Sequence, residues 1–253
     1  MLTRPVIARF TAAGSGVLYS SFLLSYLTGA QGHIAFISEL ERPGAPYAGW
    51  YRASDLGAGV LMVALAWLCW SRPQQPITRW ALVAVSVTGI GSMLDATSTM
   101  DCAPTVRSTC DITDHTVTGL ISQLLSGHTV TGLVGFAAAG IGAGCCARAG
   151  WQTRETTRRI MVTGTTPPLL HQAASAHRWM RAHIVLAAVI GTCGLLDVLF
   201  LLTHTNDVAI VERVRILAVS GWIVLIPWII HAVPQDHHAG HRRTTEKSAK
   251  TAT

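Results

Sequence analysis

The sequence predicts an all-α integral membrane protein, a single bundle of six transmembrane helices with both termini in the cytoplasm. Of its 253 residues, 50% are hydrophobic and only 13% are charged, and the mean hydropathy is +0.40. Soluble domains carry about 25% charged residues, so this composition indicates a chain that lies mostly in lipid. The apolar stretches are continuous rather than alternating, which favours helices over a transmembrane β-barrel.

Six apolar stretches approach or exceed the roughly 20 residues that a membrane crossing needs. They are Phe10–Ala30, Asp55–Trp70, Trp80–Thr97, Gly127–Ala147, His183–Thr203 and Ile216–Val233. Together they define a membrane domain over residues 1–233. The basic, polar segment 234–253 is predicted to be a disordered cytoplasmic tail. A cleaved signal peptide is the alternative for the first stretch, but its removal would leave an odd number of spans.

The distribution of charge predicts the orientation. With a cytoplasmic N-terminus, 14 of the 19 Lys and Arg residues lie in inner segments, and 10 of the 13 acidic residues lie outside or in the outer parts of helices. This asymmetry accounts for the pI of about 9.3, so no nucleic-acid partner is expected. Membrane lipids of the cell (plasma) membrane are the expected partners. A membrane-protein partner or a homo-oligomer is left open.

Two long outer loops have different predicted structures. In the first, His33–Ser54, the apolar spacing suits a short amphipathic helix on the membrane surface, formed around Ile34, Phe36, Ile37 and Leu40. The second, Ser98–Ser126, contains Cys102 and Cys110. Because the outer compartment is oxidising, we expect these two cysteines to form a disulfide, with two free thiols as the alternative.

Two further expectations concern the inner side and the helix contacts. The basic segment Arg148–Arg181 is predicted to be an inner loop, with a surface helix after Pro167. Small residues allow transmembrane helices to approach closely. The fourth span is therefore expected to pack through its glycines, which include the spacing Gly140-x-x-x-Gly144: Gly132, Gly135, Gly140, Gly142 and Gly144. Pro227 is expected to bend the sixth span.

Counting residues along the predicted spans places three aspartates at the same outer level of the membrane. Asp55 opens the second span from outside, and Asp95 and Asp197 come about 14–15 residues, or roughly 22 Å, after their spans begin inside. An ionisable residue in hydrocarbon costs at least about 2.5–3.5 kcal/mol, so three at one level need a reason. With His128 and Glu39 they form a candidate polar site that could bind a metal, relay a proton or hold a headgroup.

A purely structural interpretation competes with this site. Asp55 would cap its helix, Asp95 would face water, and Asp197 would pair with Arg213 or Arg215. Sequence spacing assigns no catalytic residue, no cofactor and no metal site. Walker loops, Gly-x-Ser-x-Gly elbows and His-Glu-x-x-His motifs do not occur in the chain.

The leading functional hypothesis is a membrane protein with an outward-facing polar pocket that recognises a lipid or cell-envelope headgroup. A metal-dependent hydrolase or transferase acting on lipid is the first alternative, and it needs at least three converging ligands. A small secondary transporter is the second, and it predicts polar residues through both halves of the bundle. Whether the chain is an enzyme therefore stays open at this point.

Several short motifs resemble one known family. Ile37-Ser38-Glu39-Leu40, then Arg52-Ala53-Ser54-Asp55-Leu56, resemble the signature of domain-of-unknown-function family 998. Asp101-Cys102-Ala103-Pro104 with Cys110, His128 and Glu212-Arg213-Val214 are similar to its actinobacterial members. The resemblance implies six-helix membrane proteins, distantly similar to DRAM/Frag-type proteins, and no established activity.

The predicted orientation is tested by cysteine labelling in intact cells. Ser108→Cys should react with a membrane-impermeant thiol reagent, because the charge distribution places its loop outside. Thr157→Cys should react only after the membrane is permeabilised. The unmodified parent controls for native cysteines, and labelling of Thr157→Cys from outside would show that the orientation is inverted.

Overall fold

The computed structural model describes residues 3–29, 37–70, 75–98, 127–162, 167–203 and 208–232. Within these ranges every regular element is helical. The α-helices are α1 Arg4–Tyr19, α2 Leu24–Thr28, α3 Ala48–Trp70, α4 Pro76–Thr97, α5 Gly127–Val162, α6 Pro167–Thr203 and α7 Val208–Ala232. Short 3-10 segments cover Ser21–Leu23 and Ile37–Glu41.

Five helical stretches are long and apolar enough to cross a membrane. They are Ala48–Trp70, Pro76–Thr97, Gly132–Thr156, His177–Asp197 and Ile210–His231. The segments Arg4–Tyr19 and Ser21–Thr28 meet the same criterion together, with a bend of 44° between them, and give a sixth span if they are one. The chain is therefore an α-helical membrane protein with five or six candidate spans, as the composition predicts. The position of the termini stays a prediction.

The long helices form a closed ring in which each packs against its neighbours in the chain. α3 contacts α1 and α4, α5 contacts α4 and α6, and α7 contacts α6 and closes the ring onto α1. α7 also contacts α5 and α3, and 61% of its span is buried inside the protein, against 22–50% for the other four. The last helix is therefore the most enclosed of these five spans.

Two sites of very close helix packing depend on glycine. At the crossing of α3 and α4, a Cβ on Gly89 would lie 2.7 Å from the carbonyl oxygen of Gly59. In α5, a Cβ on Gly142 would collide with the buried Trp222 ring and lie 2.8 Å from the Ala84 Cβ. Backbones approach this closely only where side chains are missing, which is the usual use of small residues between membrane helices.

Of the glycines predicted to allow close packing of α5, Gly142 does so, whereas the Gly140-x-x-x-Gly144 pair does not. A Cβ on Gly140 would make only an ordinary 3.6 Å contact with Ile190, and a Cβ on Gly144 would meet nothing within 4 Å. The residue between them, Gly142, faces the bundle instead. Glycine spacing shows where close approach is permitted, but the direction that a helix face takes is decided by its neighbours.

Helices α5 and α6 extend well beyond their apolar spans, so the predicted inner loop 148–181 is mostly helix. α5 continues to Val162, and α6 begins at Pro167 and runs without a break into the predicted fifth span, as expected of the helix after Pro167. Apolar composition marks where a chain leaves lipid, whereas a helix can continue into water with solvated side chains. For the same reason α3 starts at Ala48, seven residues before the predicted start of its span.

The predicted amphipathic surface helix is also corrected. Of its apolar residues, Ile37 and Leu40 lie in the 3-10 segment Ile37–Glu41, where both are buried against the hydrophobic core. Ile34 and Phe36 lie outside the described residues. The described part of this segment therefore packs its apolar side chains on the protein core, whereas the predicted surface helix would have turned them toward lipid.

The two ends of the bundle differ in chemistry. We call the end formed by the starts of α3 and α7 and the last turns of α4 and α6 the polar end, and the other the opposite end. At the opposite end Trp179 stacks on Trp228, with ring centroids 5.4 Å apart, and the Arg9 guanidinium lies 3.9 Å from the Trp228 ring centroid. A cation over an aromatic face is attracted to it, which links α1, α6 and α7.

Replacing Gly142 by Ala should lower the thermal-unfolding midpoint of the detergent-purified protein. The added methyl would collide with Trp222 and Ala84, and overpacking of this kind costs about 1–3 kcal/mol. Gly144→Ala is the matched control, since its methyl meets open space and alanine favours helix. Equal midpoints for the two variants would contradict this packing.

Candidate functional site

A group of ionisable residues is gathered at the polar end, drawn from six elements of the chain. We call it the charged cluster, and it consists of Tyr19, Glu39, Glu41, Arg52, Asp55, Asp95, Asp197, Glu212, Arg213 and Arg215. Several of its side chains are almost fully enclosed, including Glu39 at 2% and Arg213 at 6% exposed. Burying a charge is costly unless the protein supplies partners, so the contacts within the cluster are decisive.

Asp55 and Glu41 form a side-chain hydrogen bond between two carboxyl groups. An ionised carboxylate can only accept a hydrogen bond, so this contact requires a proton on one of the two. Asp55 also interacts electrostatically with Asp95 and Glu212. Three helices and the 3-10 segment thus bring four acidic groups together.

The 3-10 segment Ile37–Glu41 is held at both ends by charged residues, one from the next helix α3 and one from the distant helix α7. The backbone N–H of Ile37 donates to Oε2 of Glu212 at 3.0 Å, across 175 positions of sequence. The Arg52 Nε donates to the carbonyl oxygen of Glu41 at 2.7 Å. Charge-assisted hydrogen bonds are the stronger kind, so α3 and α7 fix this short turn where it would have few internal bonds of its own.

Asp197 of α6 and Arg215 of α7 form an ion pair through Oδ2 and Nη1. Only 13% of the Asp197 side chain and 9% of the Arg215 side chain are exposed. The Arg215 guanidinium also lies 3.6 Å from the centroid of the Phe136 ring in α5. The pair therefore joins α6 to α7, while the ring contact adds α5.

Tyr19, the last residue of α1, interacts both with the acidic residues around Asp55 and with Arg215 of the ion pair. It is buried, and its hydroxyl interacts electrostatically with Asp55, Asp95 and Glu212 on one side and with Arg215 on the other. The same depth count that groups the aspartates would have found it. Tyr19 lies 15 residues after α1 begins, or about 22 Å along the helix.

Hydroxyl groups near the cluster fix the register of its helices. The Ser92 Oγ of α4 donates to the carbonyl oxygen of Asp55 at 2.9 Å, and the Ser15 Oγ of α1 donates to that of Ala58 at 3.1 Å. Hydrogen bonds between membrane helices contribute on the order of 0.6–2 kcal/mol each. They place the acidic side chains of α3 and α4 at the same level.

The structure brings four of the five predicted site residues to this end. Asp55 and Asp95 interact with each other, Glu39 lies buried in the 3-10 segment, and Asp197 pairs with Arg215, as the structural alternative predicted. Asp55 is not a helix cap, because α3 begins seven residues earlier. His128 is the second residue of α5, and its side chain lies outside the described residues.

Sequence reasoning missed Tyr19, Glu41 and Arg52 as members of this site. Glu41 directly follows the Ser-Glu-Leu motif, and Arg52 opens the Arg-x-Ser-Asp motif. The two motifs meet in space through the Glu41 hydrogen bonds to Asp55 and Arg52. Cys102 and Cys110 lie outside the described residues, so their disulfide stays a prediction. Among the residues that are described, no three His, Cys, Asp or Glu side chains converge as metal ligands would.

Comparison with known proteins gives a family and no activity. The family model described as "Protein of unknown function (DUF998)" matches residues 12–229, which is most of the chain and confirms the predicted resemblance. No curated protein and no solved structure matches the sequence.

Breaking the ion pair should destabilise the protein more than removing both of its members. Asp197→Leu alone leaves a buried Arg215 without this ion-pair partner, which costs about 3–5 kcal/mol. Arg215→Met alone likewise leaves the Asp197 carboxylate without this ion-pair partner. The double variant should recover most of the lost thermal midpoint, because apolar side chains of similar size fit the site. Additive losses in this double-mutant cycle would mean that the two residues act independently.

Proposed function

The chain belongs to the DUF998 family, and on that premise we propose that it is a membrane protein that binds an ammonium-bearing lipid or cell-envelope headgroup at its charged cluster. The proposal rests on one observation, which is that carboxyl groups outnumber guanidinium groups among the described residues of the charged cluster. The distribution of Lys and Arg in the loops supports an outward-facing position for that end in the plasma membrane.

The charge balance favours a cationic ligand. Six carboxyl groups lie in the cluster, against the guanidinium groups of Arg52, Arg213 and Arg215. Even with Arg42, which follows the 3-10 segment, the carboxyl groups outnumber the guanidinium groups by six to four. The proton shared by Asp55 and Glu41 offsets one negative charge. A ligand ammonium group would offset a further one and supply hydrogen-bond donors, which carboxylates lack.

The location favours a membrane-borne ligand. Asp95 lies two residues before Thr97, the last residue of α4, and is therefore close to the membrane surface. Its side chain is only partly buried. Tyr47 and Trp50, at the start of α3, are exposed at the same end, where aromatic residues commonly meet headgroups. The predicted Cys102–Cys110 disulfide would close a short loop soon after α4 and limit access from water.

The two alternatives make different demands on the same residues. A lipid hydrolase or transferase needs a nucleophile or a metal in addition to the carboxyl groups. A secondary transporter would use the Asp55–Glu41 proton in coupled transport, and this hydrogen bond is the observation that favours it as second candidate. Binding without transport distinguishes headgroup recognition from the transporter.

Native mass spectrometry of the detergent-purified chain tests the proposal. Phosphatidylethanolamine should bind about tenfold more tightly than phosphatidylethanol, which has the same phosphate but no amine. Asp95→Asn and Asp55→Asn should each remove most of this preference, since a hydrogen bond to a charged group contributes about 1.5–3 kcal/mol.

Glu155→Gln, at the opposite end, is the matched control and should keep the full preference. Equal binding of the two lipids by the unmodified chain would overturn the proposal. If the same carboxyl groups instead support proton-dependent uptake of ethanolamine into proteoliposomes, the protein is a transporter.

A further inference from the structure

A second lipid-facing feature lies between α6 and α7, away from the charged cluster. It is a groove of about 570 Å³, a volume typical of small-molecule sites. Its walls are the apolar side chains of Val185 and Leu186 from α6 and of Val224 and Leu225 from α7, with Gly221 between them. Arg181 is the charged residue among those that line it. The groove is therefore apolar along its length and basic at one end.

Gly221 keeps the groove open. A Cβ at this position would meet only the Leu186 Cδ2 at 3.6 Å, an ordinary contact, so the backbone does not require glycine for close helix approach. A larger side chain would instead extend over Leu186 into the groove. Val185 on the other wall is 61% exposed, which leaves the groove open toward the surrounding lipid.

The basic end of the groove lies at the level of a membrane surface. Arg181 precedes Asp197 by 16 residues, which is about 24 Å along α6. Since Asp197 belongs to the polar end and the hydrocarbon core is about 30 Å thick, Arg181 reaches the opposite headgroup region. The guanidinium is exposed, and it interacts electrostatically with His177, as Arg154 of α5 also does. The surroundings of the groove end are thus basic.

We propose that this groove is a binding site for an anionic phospholipid of the predicted cytoplasmic leaflet. One acyl chain lies along Val185, Leu186 and Val224, and the phosphate pairs with the Arg181 guanidinium. A single phospholipid supplies both the apolar and the anionic part in this order. A second copy of the chain would have to bring an acidic side chain to Arg181 as well as an apolar helix face. The site is separate from the charged cluster, so neither proposal depends on the other.

Photolabelling of the full-length chain tests the site directly. The protein is placed in phosphatidylcholine nanodiscs with a trace of phosphatidylglycerol that carries a diazirine on one acyl chain, and the labelled peptides are sequenced. Label is expected on 182–186 and 221–225, and unlabelled phosphatidylglycerol should compete while added phosphatidylcholine should not. Arg181→Gln should weaken this competition about fivefold, as expected for one basic residue at an anionic surface.

Variants that fill the groove separate it from general lipid contact. Gly221→Leu should reduce labelling of both segments at least fivefold, and Val185→Trp fills the same space from an exposed position if the first variant does not fold. Gly191→Leu in α6, the helix that carries Val185, is the matched control, because a Cβ at Gly191 meets nothing within 4 Å. Arg178→Gln, one turn from Arg181 and exposed, is the control for charge. Both controls should stay within twofold of the parent.

Three results would overturn the site. Labelling unchanged in whichever groove-filling variant folds would place the lipid elsewhere. Equal losses for Arg178→Gln and Arg181→Gln would show a diffuse attraction to the basic surface. Crosslinks between two copies of the chain at 182–186 would show that a second subunit covers the groove.

Discussion

An ionisable group enclosed in an apolar bundle must find its partner within the protein, and this constraint organises the polar end. Burial separates a charge from water, so the compensation that the protein itself supplies decides whether the charge is tolerated. The Asp197–Arg215 pair joins α6 to α7, and the Asp55–Glu41 hydrogen bond joins α3 to the 3-10 segment. Glu212 then holds that segment on α7. The requirement to satisfy charge therefore cross-links neighbouring elements and, through Glu212, two elements that are 175 positions apart.

The rest of the bundle is held together by close packing between helices. In lipid the helices gain little from hiding apolar surface, so close packing between small residues becomes the main attraction. Gly59 against Gly89 sets the crossing of α3 and α4, and the Trp222 ring fills the space that Gly142 leaves in α5. These contacts hold α4, α5 and α7 at fixed separations. The charged cluster can form only because this packing brings the helix ends to one level.

The two ends of the bundle divide the chemistry of the molecule between them. Among the described residues of the polar end, carboxyl groups outnumber guanidinium groups. At the opposite end basic and aromatic side chains predominate, and the Arg9–Trp228–Trp179 stack joins three helices there while Arg181 remains exposed. A membrane with anionic lipid on its inner face favours this asymmetry. Under the two proposals, the polar end would bind an ammonium-bearing headgroup and the opposite end an anionic one.

The sequence alone determined the class of protein, five of the membrane spans, the family, and the common level of Asp55, Asp95 and Asp197, because each follows from composition, short motifs or a rise of 1.5 Å per residue along one helix. Only the tertiary structure decided which charges meet. Asp197 pairs with Arg215 rather than joining Asp55, and Glu41 reaches Asp55 through a turn that the apolar pattern placed on the membrane surface. Depth along a helix can be counted from sequence, but the rotation of a helix about its axis is set by the neighbours that it packs against.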